Sequence, residues 1–140
     1  MGVSLVYLEP MDSIPRILIV EDDRFLSSIL KGRMEKNNFA VEQAFDGEEG
    51  LAKLREFRPD MVILDLIMPK VSGFEFLERI STDPEFNQAP ILIVSNLGQD
   101  SDIQKAKDLG AIDYYVKVRT SIDDLDRIIK NIITERMKKQ

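Results

Sequence analysis

Five apolar runs of this sequence each end directly before side chains that can bind a cation or a phosphoryl group. The polar residues that follow the runs are Glu21, Asp22, Asp23, Asp46, Asp65, Ser95 and Lys117. A short run rich in Val and Ile is typical of a strand that is buried on both faces of a parallel sheet. Ligands bind at the carboxyl ends of such strands. We therefore predict that these side chains converge on one sheet edge and form a metal-assisted phosphoryl-acceptor site.

Most of these residues also have an ordinary structural explanation. Acidic residues after a strand commonly cap the next helix, a Ser at a strand end commonly forms a turn, and a Lys is usually solvated. Asp65 differs, because it lies between Met-Val-Ile-Leu and Leu-Ile-Met-Pro. An unpaired charge in such apolar surroundings costs several kcal/mol, which favours a functional role for this carboxylate.

The composition excludes several other kinds of chemistry. The 140 residues include no Cys and no His, and the formal net charge is −6. Without Cys there are no disulfides or thiolate metal sites, and without His there is no histidine phosphodonor, base or ligand within the chain. The negative charge argues against direct nucleic-acid binding, and no apolar stretch approaches the roughly 18 residues of a membrane span. We expect a cytoplasmic protein that binds neither nucleic acid nor membrane.

Segments with helical periodicity separate the five apolar runs. The first covers Arg24 to Lys36 and places Phe25, Ile29 and Met34 at helical spacing. A fourth helix opens at Asp100 or Ser101 and closes at Gly110. The second, third and last helices begin at capping pairs, which are Asp46 with Glu49, Ser72 with Glu75, and Ser121 with Asp124.

Strands that alternate with single helices predict parallel strands joined by right-handed crossovers, with helices on both faces of the sheet. The fold class is therefore α/β, a doubly wound five-stranded sheet with five helices. We interpret residues 1–13 as an N-terminal extension and residues 14–140 as one domain. No second domain is expected after the last helix, so any output must act through this domain on another molecule.

Four motifs, in this order along the chain, resemble those of the response-regulator receiver domain, the phosphoacceptor module of two-component signalling. They are Ile-Leu-Ile-Val-Glu-Asp-Asp, Val-Ile-Leu-Asp-Leu-Ile-Met-Pro, Ile-Leu-Ile-Val-Ser and Asp-Tyr-Tyr-Val-Lys. The resemblance covers about Ile14 to Met137. It implies a flavodoxin-like sheet with the strand order 2-1-3-4-5 and a stand-alone receiver similar to the chemotaxis regulator.

The resemblance also implies a magnesium site. Asp22 and Asp65 would bind Mg²⁺ directly, Glu21 would hold a metal-bound water, and the backbone carbonyl of Ile67 would supply a further ligand. Asp65 would be the nucleophile that accepts the phosphoryl group. Carboxylate and carbonyl oxygens are the ligands that this ion prefers, and it keeps several waters.

The remaining roles concern the phosphoryl group and the response to it. By resemblance, Lys117 would bridge the Asp65 carboxylate and a phosphoryl oxygen, and Ser95 would donate its hydroxyl to the same group. Ser95 and Tyr114 would form the switch, Tyr114 moving inward as Ser95 shifts. The family is not enzymatic in the usual sense, apart from self-catalysed phosphorylation and dephosphorylation.

The implied partners are proteins. The phosphoryl donor would be the phosphohistidine of a sensor histidine kinase or of a phosphotransfer protein. The readout surface would be the fourth helix, fifth strand and fifth helix, around Ser101 to Lys130, where a downstream target or a second copy of the chain would dock.

Two positions depart from the family pattern. Val118 follows Lys117 where most receivers have Pro, often after a cis bond. Because a cis bond before a residue other than Pro costs about 2.5–4 kcal/mol, we expect a trans bond and an altered loop. Asn96 follows Ser95 where a small residue is usual, so its side chain is expected to affect access to the phosphoryl group or the movement of the loop.

Two alternative functions remain open from the sequence. A phosphatase of the haloacid dehalogenase type also uses a nucleophilic Asp with Mg²⁺, but that family has a second Asp where this chain has Ile67. A phosphorylation-independent interaction module with the same fold is the other alternative. Val118 and Asn96 favour it, whereas Asp65, Ser95, Lys117 and the acidic pair argue against it.

Overall fold

The computed structural model describes residues 14–86 and 89–138, and the N-terminal extension predicted at 1–13 lies outside these ranges. Five parallel strands form one sheet in the order β2-β1-β3-β4-β5. The predicted strand order and fold class are therefore confirmed. The strands are β1 (Arg16–Val20), β2 (Ala40–Ala44), β3 (Met61–Leu64), β4 (Ile91–Ser95) and β5 (Asp113–Val116).

Five α-helices connect or follow the strands, and a short 3₁₀ turn, Lys117–Arg119, leads into the last helix. Within the described ranges, no helix combines the length and the apolar character needed to cross a membrane. The helices are α1 (Arg24–Lys36), α2 (Gly47–Phe57), α3 (Gly73–Ser81), α4 (Asp100–Asp108) and α5 (Ile122–Lys138).

The predicted helix caps are present at three helices. Each capping side chain accepts a hydrogen bond from a backbone N–H of the first turn, which would otherwise lack a partner. For α4 the prediction is only partly right, because the helix begins at Asp100 after Gln99, whose side chain makes no capping bond. Gly110 follows α4 with φ of 107°, a conformation that ends the helix and that residues with a Cβ atom rarely adopt. The three capping pairs are Asp46–Glu49, Ser72–Glu75 and Ser121–Asp124.

The helices cover both faces of the sheet and divide the core into two layers. On one face α2, α3 and α4 contribute Leu54, Phe76 and Ala106 to a cluster with alternate residues of the strands. On the other face α1 and α5 contribute Leu30 and Ile129. Because successive strand residues point to opposite faces, the fully buried central strands supply both layers.

The apolar face predicted for α1 is right at Met34 but wrong by one position at Phe25 and Ile29. Phe25 is 76% exposed, whereas Leu26, Leu30 and Met34 pack in the layer below the helix. These three residues recur at intervals of four, so they lie on one side of the helix, and Phe25 precedes that row by about 100° of rotation. Phe25 is thereby left at the surface beside the carboxyl end of β1.

Gly73, the first residue of α3, lies directly against the backbone that carries Asp65. A Cβ atom at this position would come within 2.3 Å of the Asp65 carbonyl oxygen and 2.5 Å of the Leu66 Cα. No such obstacle exists at Gly32, an exposed position inside α1, where a Cβ would meet nothing within 4 Å. The start of α3 and the segment after β3 therefore pack closely only because residue 73 has no side chain.

We predict opposite effects of the same substitution at these two glycines. Gly73→Ala should lower the free energy of unfolding by about 1–3 kcal/mol, because backbone atoms must move to relieve overpacking. Gly32→Ala should raise it by about 0.5–1 kcal/mol, because Ala is the better helix former. Urea unfolding of both variants measures the difference; a Gly73→Ala variant as stable as the wild type would contradict the close approach.

Candidate functional site

Hydrogen bonds beyond the ends of β1 and β3 hold two acidic residues at the centre of the sheet edge. The N–H of Glu21 donates to the carbonyl of Ala44 at 2.9 Å, and the N–H of Asp65 donates to the carbonyl of Val20 at 3.0 Å. Both side chains are almost fully buried, at 3% and 4% exposure. The backbones that carry these two carboxylates are therefore fixed by the neighbouring strands, β2 for Glu21 and β1 for Asp65.

Three carboxylates meet at this edge. One oxygen from each of Glu21, Asp22 and Asp65 lies within 4.8 Å of the others. Glu21 and Asp65 are buried, and Asp22 is exposed at the rim. The structure thus brings together the three acidic side chains that the sequence predicted as a metal site.

Lys117 lies between the two buried carboxylates. Its Nζ is 2.8 Å from Glu21 Oε1 and 2.9 Å from Asp65 Oδ2. The second oxygen of Asp65 accepts the N–H of Ile67 at 3.2 Å, and that of Glu21 accepts the N–H of Asp23 at 3.0 Å. The contact of Lys117 with Asp65 agrees with the prediction, whereas its contact with Glu21 was not predicted.

One ammonium does not neutralise two buried carboxylates, and the pKa values reflect this imbalance. The pKa of Glu21 is raised from 4.5 to about 7, because burial and the nearby Asp65 charge together outweigh the lowering effect of Lys117. Burial alone would lower the pKa of Lys117, but its bonds to the two carboxylates raise it above its ordinary value. Lys117 is therefore charged near neutral pH, while Glu21 is poised to exchange a proton.

The acidic cluster fits a hard divalent cation. All three side chains offer carboxylate oxygens, and a single ammonium faces the two buried ones, so the cluster lacks positive charge. Mg²⁺ takes such oxygen ligands in octahedral geometry. The N–H of Ile67 donates to Asp65 Oδ1, so the residue that carries the predicted carbonyl ligand lies next to this carboxylate.

Ser95 and Tyr114 lie together at the carboxyl end of β4. Ser95 is fully buried and its hydroxyl accepts the N–H of Leu97 at 3.4 Å. The Tyr114 hydroxyl donates to the Leu97 carbonyl at 2.5 Å and also contacts the Ser95 hydroxyl. Burial, and then the charge of Asp102, raises the pKa of Tyr114, so its hydroxyl stays protonated and able to donate. The two predicted switch residues are thus in contact.

Two of the acidic residues that were expected to converge on the site serve other purposes. Asp46 follows the edge strand β2; it caps α2 and lies 3.6 Å from Lys70. Asp23 caps α1 by accepting the N–H groups of Phe25 and Leu26. For Asp46 the prediction of convergence is wrong, because an edge strand ends farther from the centre of the sheet than β1 and β3.

Two features around the site go beyond what the sequence predicted. Asn96 Oδ1 accepts the N–H of Val118 at 3.2 Å and joins the loops that follow β4 and β5. Three apolar side chains are exposed after the ends of β1, β3 and β5: Phe25 in the first turn of α1 at 76%, Ile67 at 53% and Val118 at 80%. The sequence contained a hint of each. A residue other than Pro at position 118 keeps the N–H that bonds to Asn96, and Phe25 lies outside the row of apolar residues that recurs every four positions in α1. All peptide bonds of the described residues are trans, including the bond between Lys117 and Val118, as predicted.

Known proteins similar in sequence include the DNA-binding dual master transcriptional regulator RpaA of a Synechocystis species. It is 39% identical over 103 residues, which cover 74% of this chain and 43% of RpaA. The chain therefore spans less than half the length of this relative.

Solved structures agree with the fold and with the family. A CheY-like receiver domain protein of Methanospirillum hungatei superposes with a TM-score of 0.80 at 27% identity, over 91% of this chain and 99% of that one. The phosphorylated cyanobacterial phytochrome response regulator RcpA gives 0.72 at 28% identity, over 85% and 91%. The sequence model described as "Response regulator receiver domain" matches residues 17–130. With the acidic edge, the buried hydroxyl and the bridging lysine in place, this match identifies the chain as a member of the response regulator receiver domain family.

Proposed function

We propose that this chain accepts a phosphoryl group on Asp65, in a reaction that requires Mg²⁺, and that the acyl phosphate changes a protein-binding surface. The placement of Lys117 supports the proposal most directly. Its ammonium is 2.9 Å from Asp65 Oδ2 and 2.8 Å from Glu21 Oε1, at the edge where three carboxylates meet. A nucleophilic carboxylate thus has a positive charge beside it that can move to a phosphoryl oxygen.

The transfer itself needs little covalent chemistry from the protein. An Asp65 oxygen attacks phosphorus, the bond to the donor's histidine nitrogen breaks, and the electron pair stays with the leaving imidazole, which takes up a proton. Lys117 remains charged throughout and exchanges its contact with the carboxylate for one with a phosphoryl oxygen. Asp22, Asp65 and the Ile67 carbonyl would bind Mg²⁺, with Glu21 holding a metal-bound water, and the ion would neutralise the charge that builds up between donor and acceptor.

The switch would involve Ser95 and Tyr114. A phosphoryl oxygen gives the buried Ser95 hydroxyl a charged acceptor, so Ser95 would change its partner. The Leu97 carbonyl, in the loop between β4 and α4, accepts the Tyr114 hydroxyl, so a shift of this loop would change a hydrogen bond made by β5. Phosphorylation would bias an existing equilibrium between two arrangements, which requires about 5.5 kcal/mol to move it from 1:99 to 99:1.

Protein partners belong to the proposal as well. We propose a histidine kinase or phosphotransfer protein as donor, and a target or second copy on the surface formed by α4, β5 and α5. The solved relative RcpA is phosphorylated, and such relatives support an acyl phosphate in this chain. The phosphatase alternative loses support, because exposed Ile67 provides no second acid next to Asp65.

Phosphorylation is testable by intact mass. Incubation with acetyl phosphate and Mg²⁺ should add one phosphate to the wild type, and Asp65→Asn should add none. Asp60→Asn is the matched control, because Asp60 precedes β3 at the opposite end of the strand and should leave the mass gain unchanged. A phosphate gained by Asp65→Asn would place the acceptor elsewhere.

The raised pKa of Glu21 predicts how stability depends on pH without metal. Between pH 4.5 and about 7 the folded chain holds a proton that the unfolded chain has released, so stability falls as pH rises. The loss over this window should be about 2–3 kcal/mol. Glu21→Gln should remove this slope in urea titrations, and the exposed-site variant Glu48→Gln should keep it. Equal slopes in wild type and Glu21→Gln would contradict the assignment.

Bound Mg²⁺ should reduce the negative charge of the site, as the proton on Glu21 does at lower pH. Millimolar Mg²⁺ is expected to raise the melting temperature, by a free energy of about 0.4 kcal/mol when the ion equals its Kd and more above it. The rise should be larger at pH 8 than at pH 6, because metal and proton compete for the same carboxylates. A melting temperature that does not respond to Mg²⁺ at either pH would count against the site.

The exposed apolar residues around Asp65 predict a difference between protein and small-molecule donors. Phe25→Ala should slow transfer from a phosphorylated histidine phosphotransfer domain by about tenfold, as loss of an aromatic contact does in protein interfaces. It should leave phosphorylation by acetyl phosphate unchanged. Ile112→Ala removes an exposed apolar side chain before β5, far from the site, and serves as control. Equal slowing with both donors would assign Phe25 to the chemistry instead.

A further inference from the structure

Two loops flank the position where a phosphoryl group would lie, and they touch each other. Residues 96–99 join β4 to α4 and are called the switch loop here; residues 117–121 join β5 to α5 and are called the lysine loop. A Cβ atom at Gly98 would lie 3.7 Å from both Val116 Cγ atoms and 3.9 Å from Arg119 Nη2. The end of β5 and the lysine loop are therefore in packing range of the switch loop.

One side-chain hydrogen bond connects the two loops directly. Asn96 Oδ1 accepts the backbone N–H of Val118 at 3.2 Å. The bond needs two unusual features at once, an amide side chain directly after Ser95 and a residue other than Pro directly after Lys117. A Pro at position 118 would have no N–H to donate.

The residues joined by this bond are the chain neighbours of Ser95 and Lys117, the two residues proposed to contact the phosphoryl group. Asn96 is peptide-bonded to Ser95, whose hydroxyl is buried, and Val118 is peptide-bonded to Lys117, whose ammonium bridges Glu21 and Asp65. Because the peptide unit is planar, holding the Val118 N–H also holds the Lys117 carbonyl and limits where the Lys117 side chain begins. The bond therefore connects the backbones that carry hydroxyl and ammonium.

We infer that Asn96 is a positioning residue that clamps the switch loop to the lysine loop, so that Ser95 and Lys117 move as one unit. This inference rests on the proposed function, since a phosphoryl group would need both contacts. With the clamp closed, ordering one contact also orders the other. Without it, ligand binding must fix two loops separately and loses affinity.

The clamp itself is tested by hydrogen exchange, without any ligand. Val118 exposes 80% of its surface, so its amide should exchange quickly unless Asn96 holds it. Asn96→Ala should speed exchange of the Val118 amide by about two- to fivefold, the range expected for a modest net hydrogen bond. Asn96→Asp keeps an oxygen acceptor and should restore the slower rate. An unchanged Val118 rate in Asn96→Ala would overturn the clamp.

The role in positioning is tested with beryllofluoride and Mg²⁺, detected by tyrosine fluorescence. Asn96→Ala should weaken beryllofluoride affinity by about two- to fivefold while leaving the metal-free melting temperature nearly unchanged. Val118→Pro should weaken it in the wild type but have little further effect in the Asn96→Ala background. Val118→Ala retains the N–H and should bind like the wild type.

The outcomes separate the two hypotheses. Unchanged affinity in Asn96→Ala, or fully additive effects of Asn96→Ala and Val118→Pro, would overturn the positioning role. Failure of the wild type to bind beryllofluoride would instead contradict the proposed function, and the exchange rate of the Val118 amide would still decide whether the clamp exists. A fall in melting temperature that accounts for the whole loss of affinity would reduce Asn96 to a structural residue.

Discussion

The contact of Lys117 with Glu21 and Asp65 is the interaction on which the site depends. Two carboxylates are buried at neighbouring strand ends, and a single ammonium faces both of them. Removing two anions from water is costly, and one cation offsets only part of that cost. The pKa of Glu21 rises to about 7 for this reason. The edge of the sheet is thus built with a deficit of positive charge, which a divalent cation would correct.

Much of the fold could be predicted because local sequence patterns determine it. Short Val- and Ile-rich runs define the strands, and capping pairs such as Ser72–Glu75 define where helices start. The predictions failed where a choice depended on the final packing. Phe25 and Leu26 are both apolar neighbours, and only the row formed with Leu30 and Met34 shows which one faces the core. Asp46 follows an apolar run like the others, but β2 is the outermost strand of the sheet, so Asp46 lies away from the site between the central strands.

The individual roles of Asp22, Ser95 and Tyr114 are implied by the resemblance, and the structure adds that Asp22 lies beside Glu21 and Asp65 and that Tyr114 contacts Ser95. The contacts of Glu21 with Lys117 and of Asn96 with Val118 could not be read from local patterns, because they join residues far apart in sequence through particular side-chain conformations. Val118 illustrates the difference. The sequence shows that position 118 is not Pro and therefore has an N–H. The bond of this N–H to Asn96 depends on how two loops pack against each other.

The division of the core into two layers has a consequence for how information could travel. Tyr114 packs in the layer of α2, α3 and α4, whereas α1 and α5 pack mainly in the layer on the other side of the sheet. In the proposed switch, a rearrangement of Tyr114 would act first on the layer of α2, α3 and α4, because the sheet separates that layer from the other one. The buried side chains that α1 contributes to the other layer lie outside the proposed surface of α4, β5 and α5, so they would be free to vary in evolution, or to be redesigned, with little effect on the switch.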